Sequence, residues 1–205
     1  MEEQDKDCLL QLSRRAIQKY LENNQILVIE EESLSSEKVN PVRKDGALKL
    51  SNGVKEKRGV FATLSINNEL RGCIGNLEPE KPIYQAVIDN SYAAAFCDPR
   101  FLPLTKEEFK KTKIEISILS RLKKTPSFKK TDDFLNYLKK KKPGIFIKKS
   151  FNQATFLPQV WEEIKNPADF LSHLFRKAGL APNEWQSNNG DIEIYEYEVE
   201  KLKEK

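Results

Sequence analysis

The sequence predicts a fold that combines α-helices with antiparallel β-strands, and three segments carry this prediction. Residues 59–75 read as a β-hairpin, because apolar residues alternate up to Asn67-Asn68, a pair that tolerates the positive φ values of a two-residue turn. Apolar residues then recur at steps of three and four over 83–97, which predicts an amphipathic helix. Residues 113–119 alternate again and predict a strand.

The remaining elements follow from local signals along the chain. Thr105 and Glu108 form a capping-box pair, which predicts a short helix, and Asn166-Pro167 is a helix start with Gly179 as its stop. Periodicity further predicts an opening helix over 9–21, a short strand at 26–29, a helix ending at 139–142 and a second hairpin over 145–157. It also predicts a last strand over 192–202, whose change of phase indicates a bulge near Tyr195 or burial on both faces there. The polar segment 30–58 is long for a loop, which suggests a lid as one hypothesis.

Composition narrows the functional classes. The chain has 205 residues, which is the size of one large domain or two small ones, and a single compact body is the default expectation. Lys and Arg number 35 against 31 Asp and Glu, a bias too weak to indicate nucleic-acid binding. We expect neither a membrane span nor a secretory signal, because the apolar runs are short. Three widely spaced cysteines indicate a reducing compartment, so we expect a cytoplasmic protein without a metal cluster.

The segment Leu-Arg-Gly-Cys-Ile-Gly at 70–75 contains the strongest candidate for chemistry. If Asn67-Asn68 is the whole loop, Cys73 pairs with Ala62 and shares a strand face with Arg71. A bent guanidinium at that spacing would favour the thiolate form of the cysteine, which is the nucleophilic form. Gly72 and Gly75 weaken a strand, so they indicate a bulge or the close approach of a ligand or a second backbone.

A purely structural interpretation of Cys73 stays open beside the chemical one. Free cysteine is among the most buried residue types, and no base is visibly paired with this thiol, as nucleophilic catalysis usually requires. Cys97 falls on the apolar stripe of the helix over 83–97, which predicts a structural role. His173, the single histidine, falls opposite the apolar stripe of its helix and is expected to be exposed.

The order of these motifs resembles the AMME syndrome candidate protein family, whose prokaryotic branch is called AmmeMemoRadiSam system protein A. The matching segments are 59–64, 70–75, 93–101, 156–161 and 170–180. The resemblance implies an α+β fold with a mixed or antiparallel sheet and flanking helices. It also implies one family domain over 1–205 in two unequal subdomains, the larger formed by both chain ends and the smaller by the middle.

The resemblance implies no specific reaction, and the sequence indicates no cofactor. The family name records genomic association with a Memo-like protein and a radical SAM protein, and these two proteins are the expected partners. Three functions follow as hypotheses: a cysteine-dependent enzyme acting on a small anionic substrate, an adaptor that docks through the loop 98–103, and an RNA-binding protein. The family motifs fall on the candidate nucleophile Cys73 and on a candidate substrate-binding set of Arg71, Gly72, Gly75, Asp98 and Arg100.

Overall fold

The computed structural model describes residues 1–29, 50–128, 130–186 and 191–204. It has an α+β fold that divides into two compact units. Unit 1 consists of Met1–Leu119 and Glu200–Lys205, and unit 2 consists of Ser120–Val199. No helix among the described residues combines the length and the apolar character needed to cross a bilayer.

The described elements alternate along the chain. The helices are α1 (Glu3–Asn23), α2 (Asn52–Lys55), α3 (Ile83–Phe96), α4 (Lys106–Phe109), α5 (Thr131–Lys141), α6 (Val160–Glu163) and α7 (Pro167–Lys177), with a 3-10 turn at Glu184–Gln186. The strands are β1 (Val60–Ile66), β2 (Glu69–Asn76), β3 (Lys113–Leu119), β4 (Lys123–Lys124), β5 (Gly144–Lys149), β6 (Asn152–Phe156), β7 (Glu193–Tyr197) and β8 (Val199–Lys203).

Unit 1 is built on an antiparallel sheet with the strand order β2-β1-β3-β8. Val60, Ala62 and Leu64 are fully buried on one face of β1, and the alternating isoleucines of β3 are buried beside them. The apolar faces of α1 and α3 belong to the same core cluster. This face is therefore the inner face of the sheet, and the strand positions between these residues form its outer face.

The turn of the β1–β2 hairpin confirms the sequence prediction, but the pairing beyond it does not. Asn67 and Asn68 have φ values of 53° and 67°, as a two-residue turn with positive φ requires. A β-bulge then shifts the register by one residue. Cys73 consequently pairs with Thr63 rather than with Ala62, so the predicted pairing was wrong.

The extra residue at this bulge is Arg71. Ser65 pairs with Leu70, and Leu64 pairs with Gly72, which leaves Arg71 without a partner on β1. The predicted register would have placed the guanidinium opposite the fully buried Leu64, where an unpaired charge is expensive. The bulge removes this conflict and moves Cys73 to the outer face.

Unit 2 contains the second antiparallel sheet, in the order β4-β7-β5-β6. Its core is centred on Trp161, which stacks on Phe170 of α7 with ring centroids 3.8 Å apart. The predicted start of α7 is confirmed, because the Asn166 side chain accepts hydrogen bonds from the first-turn amides. The predicted stop is also confirmed, since Gly179 has a φ of +77°.

Several other predictions need correction. The last strand is not one bulged strand but two strands in different sheets, β7 and β8, which explains the change of phase near Tyr195. Residues 26–29 do not form a strand. Cys97 ends α3 as its C-cap and is exposed, so it does not belong to the core. Most of the segment proposed as a lid, residues 30–49, lies outside the described residues.

Candidate functional site

Cys73 lies on the outer face of the unit 1 sheet and is half-buried. Its Sγ atom is 3.3 Å from the hydroxyl oxygen of Thr63, the residue paired with it on β1. Either atom can donate this hydrogen bond. The thiol is therefore carried by a β-strand on a residue that is half-buried, and reactive cysteines are commonly partly exposed.

The loop after α3 covers the free edge of β2 at Cys73. Among the described residues β2 is an edge strand, and the N–H and C=O groups of Cys73 bond the loop after α3 rather than β1. The N–H of Cys73 donates to Oδ2 of Asp98 at 2.9 Å, and Nη2 of Arg100 donates to the Cys73 carbonyl at 3.3 Å. A carboxylate and a guanidinium thus satisfy the edge groups that a neighbouring strand would otherwise satisfy.

Asp98 is the centre of this arrangement. It is 4% exposed and accepts hydrogen bonds from the Arg100 side chain, the Arg100 amide and the Cys73 amide. The Arg100 side chain, followed by these two amides, lowers the pKa of Asp98 well below its usual range, although burial opposes the shift. Asp98 is therefore ionised at neutral pH and fixes Arg100 beside the cysteine.

Arg100 itself is half-exposed, with 53% of its side chain accessible. Its Nε and Nη2 atoms are used by Asp98 and Cys73, while its Nη1 atom has no hydrogen-bond partner in the described part of the chain. The guanidinium carbon lies 5.5 Å from the centroid of the Phe101 ring, within cation–π distance. One nitrogen of a pre-oriented guanidinium is thus available to a ligand.

Arg71 does not reach the sulfur but holds the same loop from its other end. It forms a two-point ion pair with Glu108, with distances of 2.9 and 3.0 Å, and also donates to the carbonyl of Leu102. Arg71 and the Thr105 amide lower the pKa of Glu108 to about 2. The Nη1 atom of Arg71 is buried and makes no hydrogen bond to a described residue.

Close neighbours occupy the space beside the two candidate glycines. A Cβ atom at position 72 would lie 2.1 Å from the carbonyl oxygen of Ala94 on α3. A Cβ atom at position 75 would lie 2.3 Å from the ring of Phe61. The predicted close approach of a second backbone is therefore confirmed at Gly72, and an aromatic ring covers Gly75.

The outer face also joins Cys73 to polar residues that the sequence reasoning did not assign to the site. Thr63 pairs with Glu115 on β3, and Glu115 binds Lys203 at 2.8 Å and Lys201 at 3.2 Å. Burial raises the pKa of Glu115, but the two lysines lower it by more, so the net pKa is below its ordinary value. The alternation of polar residues in β1 and β3 indicated that Thr63 and Glu115 lie on the outer face. Only the correct register, however, places them beside Cys73.

The other candidate groups, Cys8 and His173, differ in their burial. Cys8 is 3% exposed in the core of unit 1, where burial raises the pKa of its thiol to about 11. His173 is exposed, as expected, and its Nδ1 atom is 2.8 Å from the carbonyl oxygen of Asp169. In the described ranges, no group of three or more His, Cys, Asp or Glu residues is arranged to hold a metal ion.

Comparison with known proteins agrees with this architecture. The AMMECR1 family model matches residues 10–202, so the chain belongs to the AMMECR1 family. It is 34% identical to Protein Mbar_A1807 of Methanosarcina barkeri over 174 residues, covering 84% of this chain and 85% of that protein. It is 35% identical to Protein MK0488 of Methanopyrus kandleri over 204 residues, covering 94% of this chain and 86% of that protein.

A solved structure shares the fold over the full length. The crystal structure of the uncharacterized protein PH0010 from Pyrococcus horikoshii superposes with a TM-score of 0.78 at 28% identity. The alignment covers 100% of this chain and 93% of that one.

Proposed function

We propose that the protein is a cysteine-dependent enzyme in which Cys73 is the nucleophile and Arg100 binds a small anionic substrate. The observation that carries this proposal is the position of one half-buried thiol on a rigid strand whose free edge is held by Asp98 and Arg100. A guanidinium with an unused donor next to an accessible sulfur is suited to a carboxylate or phosphate group. The same arrangement would be unnecessary for a cysteine that only fills the core.

The roles of the surrounding residues follow from their contacts. The Cys73 sulfur adds to a carbonyl carbon of the substrate, so the S–C bond forms as the C=O π electrons move onto the carbonyl oxygen. The thiol proton passes to solvent and solvent protonates that oxygen, while Thr63 orients the sulfur. Asp98 and Arg71 are positioning residues, because the first holds Arg100 and the second holds the loop through Glu108.

Selective alkylation tests this proposal, and the other two cysteines supply the controls. Iodoacetamide at pH 7 should modify Cys73 faster than the exposed Cys97, while the buried Cys8 should react only after unfolding. A small carboxylate or phosphate should slow the modification of Cys73 but not that of Cys97. Arg100→Gln should abolish this protection, and Thr63→Val should change the rate at Cys73 alone.

The alkylation experiment can also refute the proposal. If Cys73 reacts no faster than Cys97 in the native protein, and no small anion slows its modification, the sulfur is not a nucleophile of this kind. The labelled sites are identified by mass spectrometry of the digested protein, so each of the three thiols is followed separately in one sample.

A second candidate function is an adaptor, and the exposed loop 98–103 favours it. Leu102 is 82% exposed and Leu70 is 46% exposed, although both are large apolar residues. Arg71 holds the loop backbone through the Leu102 carbonyl, so the exposed side chain is presented in a fixed position. An apolar group that is both exposed and pre-ordered suits a protein partner.

The expected partners are a Memo-like protein and a radical SAM protein, in the reducing cytoplasm that the three unpaired cysteines favour. Leu102→Asp should weaken co-elution with either purified partner, whereas Cys73→Ser should leave it unchanged. If Cys73→Ser abolishes turnover in a reconstituted system while Leu102→Asp has no effect on complex formation, the enzyme is favoured over the adaptor.

A further inference from the structure

Unit 1 contains a concave surface whose lining does not include Cys73. A groove of about 730 Å³ lies between one face of α1, the strand β8 and the segment 110–113 that leads into β3. The α1 wall runs from Glu3 to Arg14, and the opposite wall is formed by residues 201–204. None of the residues proposed for the thiol chemistry lines this groove.

The groove concentrates positive charge. Seven of its fourteen lining residues are Lys or Arg, and three are Asp or Glu. The whole chain, by contrast, has 35 basic and 31 acidic residues. Lys201 and Lys203 are paired with Glu115, and Lys6 is paired with Glu3 and Glu200, so these three lysines add little free positive charge to the groove.

Glu204, an acidic residue of the groove next to the segment 110–113, is already neutralised. Arg14 forms a two-point ion pair with Glu204, with both distances at 2.6 Å, and also donates to the carbonyl of Thr112. The Glu204 carboxylate accepts a further hydrogen bond from the amide of Ile114. Glu204 is therefore a structural anchor that joins α1, β3 and β8, and its charge does not balance the lysines nearby.

Three lysines of the segment 110–113 have no carboxylate partner among the described residues. Lys110, Lys111 and Lys113 are exposed and form no ion pair with a described residue, although all three line the groove. Ammonium groups that repel one another across a concave surface create a positive potential. A ligand that supplies several negative charges would relieve this repulsion.

The shape and lining of the groove select the kind of anion. Eleven residue steps along α1 correspond to about 16 Å, which is the length of about five residues of extended polypeptide. No aromatic side chain is among the described lining residues, so nothing there can stack on a nucleic-acid base. Length and composition therefore favour an acidic peptide over RNA and over a single phosphate group.

We propose that this groove binds an acidic, extended polypeptide segment whose carboxylates pair with Lys110, Lys111 and Lys113. The site is independent of the proposed reaction at Cys73, and binding there does not require that reaction. It is a docking surface for a partner protein, in addition to the exposed loop 98–103.

Fluorescence anisotropy with labelled hexaglutamate tests the proposal directly. Saturable binding to the full chain should weaken at least about tenfold when Lys110→Glu, Lys111→Glu and Lys113→Glu are combined, and it should also weaken as salt shortens the screening length. The matched control combines Lys139→Glu, Lys140→Glu and Lys142→Glu at the exposed end of α5. This control should bind the peptide as the native protein does.

A second measurement uses the native protein only. Acetylation of lysines by an activated ester, followed by mass spectrometry, should show that hexaglutamate protects Lys110, Lys111 and Lys113 but not Lys139 or Lys140. This experiment gives an answer even if the triple variant fails to fold.

Three results would overturn the proposal. The first is the absence of saturable binding, and the second is an equal loss of affinity in the groove variant and its control. The third is tighter binding of hexauridylate or inorganic tripolyphosphate than of hexaglutamate at the same lysines, which would assign the groove to RNA or to phosphate instead.

Discussion

Replacing Asp98 by asparagine tests the edge cap of β2. The two carboxylate oxygens of Asp98 accept four hydrogen bonds: Oδ1 from the amide and Nε of Arg100, and Oδ2 from Nη2 of Arg100 and the amide of Cys73. Asparagine keeps one acceptor oxygen, but an N–H₂ group replaces the second oxygen. That group faces the N–H donors that the second oxygen accepted from, so those two hydrogen bonds are lost. Hydrogen bonds to charged groups contribute about 1.5 to 3 kcal/mol each, and the half-exposed Arg100 recovers part of this from water, so Asp98→Asn should cost about 2 to 3 kcal/mol.

The pH dependence of this loss has a definite sign. The pKa of Asp98 is lowered in the folded protein, so the unfolded chain binds the proton more readily. The stabilisation by Asp98 is therefore complete above about pH 5 and is lost as the pH falls below the unfolded value of about 3.9. The stability difference between the native protein and Asp98→Asn should be largest at neutral pH and should shrink toward pH 2.

Amide hydrogen exchange in β1 and β2 is the appropriate assay, because it reports on the unit that contains the change. Both tryptophans, Trp161 and Trp185, lie in unit 2, so their fluorescence monitors that unit separately. Glu108 also has a lowered pKa, but it is present in both proteins and cancels in the difference. A stability difference that stays constant from pH 7 to pH 2 would refute the assignment of Asp98 as an ionised cap.

Substitutions at three further positions test neighbouring parts of the hairpin. Gly72→Ala should destabilise unit 1 by about 3 kcal/mol, because the added Cβ would lie 2.1 Å from the backbone oxygen of Ala94. If the amides of β2 kept their full protection against hydrogen exchange in this variant, the prediction would be wrong. Asn68 has a φ of 67°, a conformation that glycine adopts without strain and a β-branched residue does not. Asn68→Gly should therefore raise the stability by a few tenths of a kcal/mol, and Asn68→Val should lower it by about 1 kcal/mol. Denaturant unfolding followed by circular dichroism measures both effects. Arg71→Lys should lose the two-point contact with Glu108, which should cost about 1 kcal/mol of stability. The pKa of the Glu108 carboxyl should then rise from about 2, as measured by NMR titration. An unchanged titration of Glu108 would contradict this prediction.

Local sequence signals were sufficient for most elements of the fold. The Asn67-Asn68 turn, the Thr105 capping box and the Asn166-Pro167 helix start each depend on residues within a few positions of one another. Turn and cap preferences come from backbone dihedral angles and nearby hydrogen bonds, so they act before any distant contact forms. The family motifs likewise identified the segments that meet at Cys73.

Register and face were decided by contacts between distant residues. The bulge at Arg71 depends on the cost of placing a guanidinium in the core under α3, a neighbour that the hairpin sequence does not contain. The exposure of Cys97 has a similar origin, because the apolar stripe of α3 continues past the point where the helix ends.

By itself, the sequence predicted most of the element types and several turns and caps, and the family motifs placed Cys73, Asp98 and Arg100 in one motif set. Only the tertiary structure decided that the thiol lies on the outer face, that Asp98 and Arg100 close the edge of β2, and that α1, residues 110–113 and β8 form one basic groove. The physical reason is that elements form through neighbouring residues. A site forms where segments far apart in the chain are packed together, and that packing depends on the charge and volume of every segment involved.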